Sequence, residues 1–230
     1  MLFVYMKTSI GGGINMAILI PPKYTDLEEI NLDIYDSEVS YYGGNQNWFP
    51  NRSHKCNGCG PVAAANISAY LSRTFEDKYN VLYPCKGFIN KKDFIYHMIE
   101  IRKYVRPGFF GLTSVHQFSD SVLAFSIKRG VSLTPHILDD NGASIQDATT
   151  FIYKALSQRL PVAILILKHP IKEFKEYTWH WMTITGLKFE TKSNLHYISV
   201  STYGERREIN LNSLWNQRRS KDIINLAYFS

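Results

Sequence analysis

The run Lys55-Cys56-Asn57-Gly58-Cys59-Gly60-Pro61-Val62-Ala63-Ala64-Ala65-Asn66-Ile67 constrains this chain more than any other segment. Gly58 and Gly60 permit a tight backbone of close approach, and Pro61 is preset for the first turn of a helix. The small residues that follow, then Ile67, Ala69 and Leu71, predict a helix packed closely on both sides and running to about Arg73. The run therefore sets a thiol where a loop becomes a helix. Unpaired N–H groups and the positive end of the helix dipole favour thiolate over thiol at such a place. A free cysteine has a pKa of about 8.5, and a site of this kind lowers it to roughly 3.5–7.5. Cys59 is the candidate nucleophile.

A nucleophile needs a base, and His180 is the best placed. The run Thr178-Trp179-His180-Trp181-Met182-Thr183-Ile184-Thr185-Gly186-Leu187 is dominated by aromatic and β-branched residues and reads as a strand, with the histidine near its start. A polar turn, Glu190 to Asn194, leads into a second strand from His196 to Thr202. The two make a hairpin, so the far end of the second strand returns to His180. Ser201 or Thr202 is then in reach to orient the imidazole. Nucleophile, base and orienter lie far apart in sequence and together in the fold, as in cysteine hydrolases.

In order along the chain, Gly44-Asn45-Gln46-Asn47-Trp48-Phe49, Gly58-Cys59-Gly60-Pro61, Trp179-His180-Trp181 and Ser201-Thr202-Tyr203-Gly204 resemble the motifs of papain-like cysteine peptidases. The resemblance is greater to the bacterial branch related to the C39-like, bacteriocin-leader peptidases, and it covers residues 40–230 as short motifs. It implies Cys59 as nucleophile, His180 as base and Gln46 as oxyanion donor. The family's Asn-Ser-Trp-Gly element falls on Ser201 to Gly204, so Ser201 takes the orienting role and Tyr203 shields it. Two departures stand out. Gln46 precedes Cys59 by thirteen residues, a longer gap than the family keeps, so Pro50 to Lys55 must bulge outward, with Asn51 or Asn57 as alternative donors. Ser201 also stands where the family has asparagine, a shorter hydrogen-bonding group.

The implied activity is hydrolysis of a peptide or amide bond through a thiolate–imidazolium pair, on a peptide or protein substrate, with no cofactor or metal. A cysteine-dependent acyltransferase or transglutaminase-like enzyme would use the same dyad. Cys56-Asn57-Gly58-Cys59 supports a rival from another class, a zinc-stabilised interaction module with His54 and Cys85 as further ligands. A redox pair or an inhibitory Cys56–Cys59 disulfide is the other variant. No second Cys-x-x-Cys exists, and three cysteines suit a reducing compartment. Cys85 reads as a small core hydrophobe. His54, His97, His116, His136, His169 and His196 lack a pairing context and read as structural.

The formal charge is +6. The dense basic clusters are Arg206-Arg207 and Arg218-Arg219-Ser220-Lys221, without the aromatic interleaving of a nucleic-acid platform, so a solvated basic face is expected. No apolar run is long enough to span a bilayer, and residues 1–20 lack an uninterrupted signal core. A cytoplasmic location is therefore expected, and Met16 offers an alternative start. Helices come first (opened by Asn90, Ser114 and Ser144) and strands later, which is α+β order. The expected fold is papain-like, its nucleophile helix packed on an antiparallel sheet that carries the histidine. Residues 1–38 form an N-terminal arm, with an acidic lead-in from Asp26 to Glu38, and residues 39–230 the peptidase domain.

Overall fold

The computed structural model describes residues 27–85, 87–139, 142–218 and 223–230. The arm before residue 27, Met16 and most of the Arg218–Lys221 cluster lie outside the described residues. A hairpin of β1 (Asp33–Asp36) and β2 (Val39–Tyr42) opens the fold. A 3-10 turn at Gln46–Trp48 and a short helix α1 (Arg52–Cys56) lead to α2 (Cys59–Thr74), which is followed by a single turn, α3 (Glu76–Tyr79). Then come β3 (Ile89–Asn90), α4 (Lys91–Arg102), α5 (Val115–Lys128), β4 (Pro135–Leu138) and α6 (Ile145–Leu156). The chain ends in β5 (Val162–Ile166), β6 (His180–Glu190), β7 (Leu195–Thr202), β8 (Glu205–Asn210), α7 (Leu211–Asn216) and β9 (Ile224–Phe229). The class is α+β: helices, and a six-stranded antiparallel sheet ordered β4-β9-β5-β6-β7-β8.

The helix starts follow local chemistry. Asn90, Ser114 and Ser144 each accept a hydrogen bond from the backbone of the first turn, and Ser144 completes a capping box with Asp147. The α2 helix differs, because every residue from Cys59 to Ser72 is buried. Alanines at 63, 64, 65 and 69 let β5, β6 and α4 approach its backbone, which a larger residue would hold off. At its start, a Cβ on Gly58 would sit 2.5 Å from the His54 carbonyl oxygen, so only glycine fits.

The acidic lead-in packs against the rest of the fold and contributes to its core. Ile30, Leu32 and Ile34 are buried in the same core as α2. The boundary expected after residue 38 falls in the turn of the β1–β2 hairpin, where Asp36 pairs with Val39. The small sheet β2-β1-β3 is where acidic composition concealed a strand: Ile34 points inward while Asp33 and Asp36 flank it.

One polar side chain ties these parts together. Asn66, in the middle of α2 and 2% exposed, accepts from the Gly44 backbone N–H at 2.9 Å. It donates to Thr183 Oγ1 of β6 at 3.2 Å and Ser201 Oγ of β7 at 3.3 Å. Truncation would leave the Gly44 N–H buried and unpaired. Asn66→Ala is therefore expected to cost about 2 kcal/mol of stability in urea unfolding, whereas a loss under about 0.5 kcal/mol would mean that water replaces the amide.

Candidate functional site

Cys59 is the first residue of α2 and His180 the first of β6. Both line one cavity with Gln46, Asn66, Ser201, Thr202 and Tyr203. Backbone hydrogen bonding from Trp181, one residue past the histidine, reaches the Cys59 thiol. The cavity measures about 10 Å³, close to the minimum that admits one water.

The imidazole is held from two sides. Its Nε2 lies 2.9 Å from Thr202 Oγ1, so Nδ1 is the ring nitrogen that this hydroxyl leaves unengaged. The Tyr203 ring stacks on it at 4.8 Å between centroids and 8° between planes. The stacking follows from the turn. Tyr203 (φ 53°) and Gly204 (φ 79°) form the two-residue connection between β7 and β8, both in the left-handed region that such hairpins require. Tyrosine in that region is strained, and strain of this kind gathers at functional sites.

The hydroxyl on the ring is Thr202's, not Ser201's. Ser201 Oγ instead donates to the Tyr42 carbonyl at 2.7 Å and accepts from Asn66. The cause is a bulge in the β6–β7 ladder at Thr185, between the pairs Ile184–Val200 and Gly186–Ser199. With the bulge, Ser201 pairs with Thr183 and shares its face, toward Asn66. In an unbulged ladder Ser201 would pair with Ile184 and share the face of His180. One extra residue moves Ser201 off the histidine's face and Thr202 onto it. The Thr185 carbonyl accepts from the Ile30 N–H at 2.9 Å, so the lead-in caps the bulge.

Ser201 nonetheless acts on the site, through the loop that carries Gln46. Gly43 packs so tightly on it that an added Cβ would lie 2.1 Å from Ser201 Oγ. Asn45 Nδ2 donates to the Tyr203 carbonyl at 2.6 Å, and Tyr42 N–H to the Gly204 carbonyl at 2.8 Å. Gln46 thus stands at the cavity although α1 and its flanks separate it from Cys59; Arg52 and Ser53 lie outward, as the long gap demands. Gln46 Nε2 donates to the Lys55 carbonyl at 2.6 Å and keeps a second N–H, while its Oε1 is buried without a partner. Asn51 is exposed, and Asn57 accepts from Arg102 at 2.8 Å.

The electrostatics depart from the expected ion pair. Burial pushes the Cys59 thiol pKa up, opposed by backbone hydrogen bonding from Trp181, Gly60 and Cys59 and by the Arg102 guanidinium. Burial and the Arg207 cation lower His180 to about 4, opposed by Glu176. Burial thus disfavours the charged form of each group, against the pull of the helix terminus on the thiol. Neither Asn66 nor Arg102 had been anticipated as part of the site. An asparagine amid alanines on a helix buried all round was a usable signal for the first; Arg102, some forty residues from Cys59, had none.

The zinc reading finds no ligand set: among the described residues no three His, Cys, Asp or Glu side chains cluster, Cys56 is exposed and Cys85 half-buried. His97 is structural, its Nε2 2.8 Å from Ser68 Oγ, with edge contacts to the rings of Tyr83, Phe94 and Phe125.

A raised thiol pKa has a direct kinetic signature. Below that pKa the thiolate fraction grows about tenfold per pH unit, so iodoacetamide labelling of Cys59 is expected to climb steadily from pH 7 to pH 9. A rate already level at pH 7 would mean a preformed thiolate–imidazolium pair.

The chain matches no protein-family model and no curated protein. Among solved structures it is similar to the crystal structure of the Pseudomonas avirulence protein AvrPphB, with 13% identity over 76% of this chain and 92% of that one, at a TM-score of 0.35. A likeness of that degree assigns neither a family nor a site.

Proposed function

We propose that this chain is a cysteine peptidase of papain-like, C39-related type, in which Cys59 attacks a peptide or amide carbonyl and His180 moves the proton. The observation that carries the reading is the cavity shared by Cys59 and His180, with Thr202 on the imidazole Nε2; in this reading Nδ1 serves the thiol. All the proposed catalytic groups fall within residues 39–230, with residues 27–38 packed as an arm that supports the Gln46 loop and the bulge.

The chemistry starts from the neutral pair. As sulfur bonds to the carbonyl carbon, the thiol proton passes to imidazole, and the new imidazolium leans on Thr202 Oγ1 and the Tyr203 ring. The carbonyl oxygen becomes an oxyanion, met by the free N–H of Gln46 Nε2 and the Cys59 backbone N–H. One donor of that kind contributes about 3 kcal/mol to the transition state elsewhere. His180 then protonates the departing amine, and the same nitrogen takes a proton from the water that releases the acyl group.

Cys59→Ala is expected to abolish hydrolysis of a fluorogenic peptide library, while Cys56→Ala and Cys85→Ala retain most turnover. Hydrolysis that persists in Cys59→Ala would remove the peptidase reading. The assignment of the third residue has its own measurement. Thr202→Val keeps the shape and deletes one hydrogen bond worth about 1 kcal/mol, so kcat/KM should fall about fivefold. Ser201→Ala should lower the melting temperature first, through the Asn66 cross-link. The reverse pattern would return the orienting role to Ser201.

A further inference from the structure

We propose that the groove beside Trp179 is a subsite for an acidic stretch of polypeptide flanking the bond to be cut. The inference rests on the peptidase reading and names its substrate class. The groove is about 550 Å³ and runs from Lys168 to Trp179, the residue bonded to His180. Three exposed lysines line it, Lys168, Lys172 and Lys175, with Ile171 between them and no carboxylate in the lining. Among the described residues no acidic side chain lies within ion-pair distance of these three. Glu173 belongs to the same turn but not to the lining, and Glu176 is engaged with Arg207 at 2.7 Å.

The cations sit on a fastened segment. Phe174 and Tyr177 are buried beneath it, and His169 Nε2 donates to the Leu214 carbonyl at 2.9 Å. Trp179 stands in the left-handed region (φ 58°), and its indole is 53% exposed. A strained backbone that lifts a large apolar ring into solvent next to the candidate base is poorly explained by folding alone. Lysines give the groove its charge selectivity, and the indole and Ile171 give it an apolar floor for the substrate's backbone and stems. A single indole differs from the row of aromatic platforms that single-stranded nucleic acid uses, and the groove's last residue, Trp179, is bonded to the candidate base.

The test uses the full chain carrying Cys59→Ala and fluorescence anisotropy with four labelled probes. These are a peptide rich in Asp and Glu, its Asn/Gln counterpart, its Lys counterpart, and a single-stranded oligonucleotide. The acidic peptide is expected to bind about tenfold tighter than the neutral one, with the gap shrinking as salt is raised. In the added double variant Lys172→Glu/Lys175→Glu, whose melting is checked, that preference should vanish or invert. Equal affinities for the peptides, a preference unchanged by the double variant, or tighter binding of the oligonucleotide would each overturn the proposal. Cys59-dependent cleavage of peptides without regard to acidity overturns the subsite alone. Acid-selective binding with no cleavage of the bound peptide by the unmodified chain overturns the substrate assignment and the peptidase reading together.

Discussion

A single buried amide holds this architecture together. Asn66 sits where an alanine-rich helix lets strands and loop approach to contact distance, and it saturates a donor on the loop and two hydroxyls on the sheet. In an interior of low dielectric such a network is strong when complete and costly when broken, so it admits one arrangement of helix, hairpin and loop. The positions of Gln46, Cys59 and His180 relative to one another all follow from that arrangement.

The same burial that locks the scaffold governs its chemistry. Cys59 stands at a helix start, with backbone hydrogen bonding and the Arg102 guanidinium to favour negative charge, yet desolvation prevails and the thiol pKa is raised. His180 is pushed the other way, to about 4. Burial thus disfavours the charged form of both groups, and at the sulfur the helix-start backbone and the Arg102 guanidinium oppose it without prevailing. The cavity they share is small, about 10 Å³, and the thiol beside it is buried. The left-handed Tyr203 and Trp179 flank His180, one stacked on the ring and one turned to solvent. Both residues beside this imidazole thus hold a backbone conformation that large side chains rarely adopt.

Much of this was legible in the chain. The α2 helix, the caps at Asn90, Ser114 and Ser144, and the five strands after residue 161 follow from short-range patterns: small residues behind Gly-Cys-Gly-Pro, capping side chains, β-branched runs. The β1–β2–β3 sheet was hidden by its acidic composition, and β4 and α7 are too short to show a period. The same limit applies to the site. Cys59 and His180 were readable because each occupies the end of a strongly patterned element.

The chain alone therefore determined which residues carry the candidate chemistry and on which elements they stand, since helix starts and strand ends are written in neighbouring residues. It did not determine which hydroxyl meets the imidazole. That turned on a bulge at Thr185, capped by the Ile30 N–H from the other end of the fold. Strand side chains alternate with a period of two, so one extra residue exchanged the faces of Ser201 and Thr202. The direction in which each pKa moves was decided in the same way. Helix position argued for a thiolate, and burial, which only the packed structure has, reversed it.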